Sequence, residues 1–177
     1  MTKSPFVVRT PRLELIPWTI ALVDSFAAGD KAAAEAAMGI TFPEPFGPPP
    51  ETGDVLGYFR DSIAVDTSDG AYLPRMIVRS DNRMAVGSIG CGVPSGAGET
   101  LFGYSVYPDF EGNGYASEAA RGIADWVLGR DGVEAVTATI PVGHVASEIV
   151  ANRAGLMNTG RQIEDEGMTV NVWERRR

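Results

Sequence analysis

The feature that most constrains this chain is the passage Pro108-Asp-Phe-Glu111-Gly112-Asn113-Gly114-Tyr115, set between a strand-like run and a long amphipathic one. The run after it places Ala116, Ala119, Ala120, Ile123, Ala124, Val127 and Leu128 at i, i+3, i+4, i+7, i+8, i+11 and i+12. That spacing predicts a helix with one apolar stripe. Its alanines predict close approach to a sheet. Strand-like runs flank it at Glu99–Tyr107 and Glu134–Pro141. A strand, a covering helix and a second strand make a crossover, which joins parallel strands and excludes an all-β or all-α fold.

The rest of the chain supplies antiparallel material. Residues 7–16 read as a first strand, with Arg12 and Glu14 alternating with Leu13 and Leu15. Thr19 can cap a helix to about Ala28, and Asp30 a second one to Met38. Gly39 to Pro50 holds five prolines and two glycines and reads as a loop. Thr52 opens a helix to about Val65, with Val55, Leu56, Phe59 and Ile63 on one side. Leu73–Arg79 and Met84–Val93 form a hairpin about Ser80–Arg83, and Pro94–Gly98 turns into the strand at Glu99. A short helix follows at Val145–Ala154, then strands at Met157–Gln162 and Met168–Glu174 around Glu164–Gly167. The expectation is a mixed α/β (α+β) fold with about seven strands, and one domain over residues 1–177.

Charge narrows the function. Fifteen Lys+Arg against 23 Asp+Glu give a net −8, which argues against a nucleic-acid binder and its dense basic surface. No apolar run approaches the ~20 residues of a membrane helix. The start MTKSPFVVRT shows no secretory h-region, so a cytoplasmic protein without membrane attachment is expected. The single Cys91 excludes an internal disulfide and a cysteine-rich zinc site, no metal is expected, and its apolar strand suggests a buried, inert thiol.

The 111–116 turn nonetheless suits an anion. Glycines leave the backbone unshielded, and the orphan N–H groups and dipole of the helix N-terminus converge on it. One pyrophosphate could bind there without lysines; the alternative is a tight turn that uses glycine for packing. A dinucleotide fingerprint fails, because Ser117 stands where its third glycine belongs, and no Gly-Lys-Ser/Thr P-loop occurs.

The string Phe102-Gly103-Tyr104-Ser-Val-Tyr-Pro108-x-x-x-Gly112-x-Gly114-Tyr115-Ala116-x-Glu118-Ala119 resembles the acetyl-CoA loop of the GNAT N-acetyltransferases, and within them the branch typified by RimJ and RimL. Val145-Ala-Ser147-Glu-Ile-Val150-Ala-Asn152-Arg153-Ala-Gly155-Leu156 is similar to that branch's N-x-x-S-x-x-(V/L)-x-x-(K/R)-x-G-F segment. Thr10-Pro-Arg12-Leu13-Glu-Leu15 matches its T-x-R-L-x-L opening. The resemblance implies a mostly antiparallel twisted sheet with a splayed central strand pair and flanking helices. It implies transfer of an acetyl group from acetyl-CoA to a primary amine in a ternary complex.

By the same resemblance, the amides of Gly112, Asn113, Gly114, Tyr115 and Ala116 would hold the pyrophosphate, with Glu111 at the loop's entry. The pantetheine arm would pair near Val106, and Asn152 and Arg153 would lie on the adenosine or phosphate side. Ser147 matches a serine near the CoA sulfur; on an ideal helix it stands about 200° from Val145, away from an expected Val145/Ile149 core stripe. Tyr104 and Tyr107 are expected as site walls or packing residues. Three positions depart from the pattern: Glu111 replaces a usual Gln or Arg, His144 an Asn, and Leu101 the usual acidic residue. Glu99, two residues earlier on the same strand face, is the expected substitute base, and His144 is a titrating group or a cap. The proline-rich segment 42–50 and the helix after it would line the acceptor side, where Glu44 and Glu51 suit a cationic amine such as a protein N-terminus, a polyamine or an aminoglycoside. The competing expectation is a GNAT-fold sensor that binds acyl-CoA without turnover. A homodimer through sheet edges or helices is a further expectation from the superfamily.

Overall fold

The computed structural model describes residues 6–66, 68, 70–165 and 167–177. The start of the chain up to Pro5, where no secretory segment was expected, and Glu166 of the last expected turn lie outside the described residues. The expected first strand is two strands: β1 (Val8–Arg9) and β2 (Leu13–Pro17) pair antiparallel, Val8 opposite Leu15. The chain folds back at Thr10–Arg12, where the Thr10 N–H donates to Leu13 O and its hydroxyl accepts the Leu13 N–H. Pro11, without an N–H, fits such a turn better than a continuous strand.

Helices α1 (Ile20–Ala28) and α2 (Lys31–Met38) start where their caps predict. The Leu22 N–H donates to Thr19 Oγ1 and the Ala33 N–H to Asp30 Oδ1. A 3₁₀ turn (Gly53–Val55) precedes α3 (Leu56–Ala64). Leu56, Phe59 and Ile63 face the α1 core as expected, whereas Val55 is exposed because the 3₁₀ turn changes the angular step. Then come β3 (Arg75–Arg79), β4 (Ala85–Cys91), β5 (Glu99–Val106), a 3₁₀ turn (Pro108–Phe110), α4 (Tyr115–Leu128), β6 (Ala135–Pro141), α5 (Val145–Arg153), β7 (Met157–Asp165) and β8 (Met168–Arg176). The eight strands form one sheet in the order β1-β2-β3-β4-β5-β6-β8-β7. Every neighbouring pair is antiparallel except β5 and β6, the pair that α4 connects.

Strand alternation divides the core in two. Leu13, Leu15, Ile77 and Phe102 meet the α4 stripe of Ala119, Ala120, Ile123 and Val127 on one face. Met76, Val78 and Ala85 meet Trp18, Leu22, Phe26 and Phe42 on the other. Helix α4 lies close to the β1–β2 turn: a Cβ on Gly122 would stand 2.6 Å from Thr10 Cγ2. Cys91 is buried between these elements, and burial pushes its thiol up to about 11, so it stays protonated.

Two of the C-terminal arginines are tied to the body of the fold. Arg175 donates to Ala154 O at 2.9 Å and pairs with Asp125 at 2.6 Å. Arg177 donates to Leu128 O and Arg130 O, both at 2.9 Å. The last carbonyls of α4 and α5 lack partners within their helices, and these guanidinium groups supply them. Among the described residues, no helix is long and apolar enough to cross a membrane.

Candidate active site

The site is built where β5 and β6 part. Only Glu99, Thr100 and Leu101 of β5 are in register with Ala135, Val136 and Thr137 of β6. Beyond them, β5 continues along β4 through Val106, while β6 continues along β8. The edge of β5 from Phe102 to Val106 is therefore free of β6 and offers backbone groups to a ligand. Tyr104 stands in the opening, its ring 6.2 Å from that of Phe102 and its hydroxyl donating to Ser147 O of α5 at 3.3 Å. Burial raises its pKa, partly opposed by that hydrogen bond, so the phenol is kept neutral.

Below the opening runs the glycine turn. Gly112 and Gly114 have φ of 74° and 78°, a left-handed region that glycine enters without strain. Gly114 is the N-cap of α4, and the first intrahelical bond is from the Glu118 N–H to Gly114 O. Among the described residues, no backbone acceptor pairs with the N–H groups of Gly112, Asn113, Gly114, Tyr115, Ala116 or Ser117. A row of unpaired donors at a helix N-terminus attracts an anion. Asn113 is not at the surface of the cleft; its side-chain amide instead donates to Phe110 O and Glu111 O, bracing the turn.

These parts enclose an open cleft of about 440 Å³. Its walls include Tyr104 and Val106 of β5, Glu111, Gly112, Gly114, Tyr115 and Ala116 of the turn, and His144, Ser147 and Arg153 of α5. Pro50 and Glu51 close its far side. That segment is fastened to β5 through the Tyr107 hydroxyl, which donates to Gly47 O at 2.8 Å. Glu51 has a φ of 65°, a strained backbone for a non-glycine residue lining the cleft.

Several expected site residues are placed elsewhere. Glu99 sits at the opposite end of β5, opposite Ala135, with its carboxylate 3.6 Å from Arg176. Five residues of strand put it about 17 Å from Tyr104 and, five being an odd step, on the opposite face of the sheet. Asn152 is exposed and does not line the cleft, although Arg153 does. Glu44 is paired with Lys31 at 2.6 Å, and Lys31 hydrogen bonding and charge hold its carboxyl below the usual range. His144 borders the cleft as the cap of α5: its Nδ1 accepts the Ser147 N–H at 3.3 Å.

The Val145/Ile149 core stripe is also corrected. Both residues are largely exposed, and Ser147, Val150, Ala151 and Ala154 form the inward side at i, i+3, i+4 and i+7. Helix α5 buries small residues against its neighbours, so the largest aliphatics do not mark its inner face. Ser147 consequently starts the inward row, at the cleft end of the helix.

Sequence reasoning missed what stands behind the turn. Glu118 accepts from the Thr10 hydroxyl at 2.6 Å, the Arg12 N–H at 2.8 Å and Arg12 Nε at 2.6 Å. Burial pushes the Glu118 carboxyl up, but these three donors outweigh it and hold it below the usual carboxylate range. The signal was two polar residues, Thr10 and Arg12, flanking a proline inside a strand-like run.

A parallel strand pair that splays over a glycine turn and a helix N-terminus, inside an otherwise antiparallel sheet, defines a class of acyl-group transferases. Comparison with known proteins gives the family. Residues 12–157 match the acetyltransferase (GNAT) domain family, and the chain belongs to it: it is an acetyltransferase. It is 25% identical over 159 residues to the uncharacterized N-acetyltransferase YjdG of Bacillus subtilis (strain 168), covering 89% of this chain and 94% of that protein. Its fold is shared with RimJ of Mycobacterium smegmatis, solved in complex with CoA-disulfide: TM-score 0.66, 16% identity, 97% of this chain and 88% of that one. It is shared equally with the ribosomal L7/L12 α-N-protein acetyltransferase RimL in complex with coenzyme A: TM-score 0.67, 14% identity, 97% and 98% coverage.

Proposed function

We propose that this acetyltransferase moves an acetyl group from acetyl-CoA directly to a primary amine in a ternary complex. The observation that carries the reading is the row of unpaired N–H groups from Gly112 to Ser117 beneath the free edge of β5. That row suits a pyrophosphate, and a free strand edge at Val106 suits the amides of a pantetheine arm. The relatives solved with CoA, RimJ and RimL, support the same donor. The non-catalytic sensor reading has no observation of its own in its favour.

In this reading the thioester lies between Tyr104 and the N-terminus of α5. The amine nitrogen attacks the thioester carbonyl, the C–N bond forms, the C–S bond breaks, and the thiolate takes a proton. Among the hydroxyls of the cleft wall, Ser147 and the neutral phenol of Tyr104 are the pair where β5 meets α5, and they are the ones that give that proton. The amine must lose a proton, and the acid expected at Glu99 is too remote to take it. Glu51 is the carboxylate on the acceptor side of the cleft, which favours a cationic amine and makes a water-relayed transfer to Glu51 the natural route. Arg153 supplies a cation for the adenosine-side phosphate.

Thermal unfolding tests donor binding first. At 100 times its Kd, acetyl-CoA stabilises the chain by about 2.7 kcal/mol, which raises Tm by about 5–10 °C. No shift with either acetyl-CoA or CoA overturns the reading. CoA release against a panel of protein N-termini, polyamines and aminoglycosides then identifies the acceptor. Ser147→Ala lowers kcat about 100-fold with the KM for acetyl-CoA within about twofold. Tyr104→Phe distinguishes the two hydroxyls: if it has the larger effect and Ser147→Ala has none, the proton comes from the phenol.

A further inference from the structure

We propose that Arg12 is a positioning residue for the anion turn, aiming the Gly114 N–H into the cleft from behind; the proposal rests on the acetyl-CoA reading above. Arg12 Nη1 donates to Asn113 O at 3.2 Å, and its guanidinium lies 5.0 Å over the ring of Tyr115. The C=O of Asn113 and the N–H of Gly114 belong to one planar trans peptide, so they point in opposite directions. Fixing the carbonyl on the β1–β2 side turns the N–H to the other side, where Gly114 borders the cleft. Asn113 does the same two peptides earlier: its Nδ2 holds Glu111 O at 3.0 Å, which turns the Gly112 N–H the other way.

Arg12 is itself held. Glu118 Oε2 accepts its Nε at 2.6 Å, and Glu118 Oε1 accepts both its N–H and the Thr10 hydroxyl. The geometry needs a fork: one arm on Glu118, the other on Asn113. A guanidinium has two separated donors in a fixed plane, and an ammonium does not. The pair also settles a charge problem. Glu118 lies in the first turn of α4 and Glu111 borders the cleft, so two carboxylates stand near the expected pyrophosphate. Arg12 neutralises the first of them. Its own charge is thereby matched, so it orients donors and screens Glu118 without being a phosphate ligand.

The test compares two acetyl donors, acetyl-CoA and acetyl-pantetheine, which has the same thioester but no pyrophosphate. Arg12→Ala is expected to raise the KM for acetyl-CoA, and the calorimetric Kd for CoA, by about 10–100-fold, with kcat within about twofold. Its kcat/KM with acetyl-pantetheine stays at the wild-type value. Arg12→Lys keeps the charge against Glu118 without the fork and recovers only part of the loss. An unchanged KM for acetyl-CoA in Arg12→Ala overturns the proposal. So does an equal loss with both donors, which would mean general damage to the fold. If Arg12→Ala does not fold, Arg12→Lys carries the comparison, and wild-type values with acetyl-CoA overturn the proposal. Absence of CoA binding in the wild type would remove the donor reading itself; wild-type binding with unaffected variants removes only the role of Arg12.

Discussion

Replacing Gly87 by alanine lowers the stability of the protein by about 3 kcal/mol or more, with a fall in Tm of roughly 6–12 °C. Gly87 lies in β4, opposite Ile77 of β3 and Val106 of β5. A Cβ at this position would stand 2.2 Å from Ser105 O and 2.9 Å from Val106 Cα. Both are backbone atoms of β5, so no rotamer relieves the collision and the strands must separate. An ordinary Gly→Ala exchange gains about 0.4–1 kcal/mol from the unfolded chain, far less than this cost. Denaturant titration reads the change, and an unaltered midpoint would show that β4 and β5 do not approach as described. The damage extends to the site, because the segment pushed aside is the end of β5 that borders the cleft.

The second large effect is functional. Gly114→Val reduces CoA affinity more than about 100-fold, the equivalent of losing two hydrogen bonds to a charged group. At a φ of 78° a β-branched residue is strained, and relaxation rotates the peptides on either side of it. The N–H groups of Gly114 and Tyr115 belong to those peptides. Stability changes less than in Gly87→Ala, since Gly114 is at the surface of the cleft and not in the core. Calorimetry against CoA, with Tm measured in parallel, separates the two. Retained affinity would mean that these donors are not what holds the pyrophosphate.

Helix α4 was legible because burial of its stripe is its chief constraint: Ala119, Ala120, Ile123, Ala124, Val127 and Leu128 are all buried. The glycine turn was legible for a local reason as well, since positive φ restricts residue type. What sequence order hides is height along a strand and contacts across it. Glu99 shares a strand face with Leu101, and both belong to the paired end of the sheet, because register depends on where β6 attaches. Residues 7–16 alternate as one strand would, but the chain reverses inside them; the cause is a hydrogen-bonded turn whose partner, Glu118, is 108 residues away. Arg75 shows the limit most clearly. It is wholly buried, gives two hydrogen bonds to Gly70 O and stacks on Trp126, and burial lowers its pKa to about 10. An arginine opening a strand carries no sign of such a fate.

The parting of β5 and β6 bears on how the molecule holds together. Five strands on one side and three on the other share one sheet, yet only three residue pairs join them along the β5–β6 seam. Helices α4 and α5 press on both parts, so the seam is supported by packing more than by the ladder. A pantetheine arm lying along the free edge of β5 would act as a short additional strand. On the proposed function, the donor would then serve as a structural beam that each turnover removes and replaces. Amide hydrogens from Phe102 to Val106 that face β6 should report this directly, exchanging freely without donor and slowly with it.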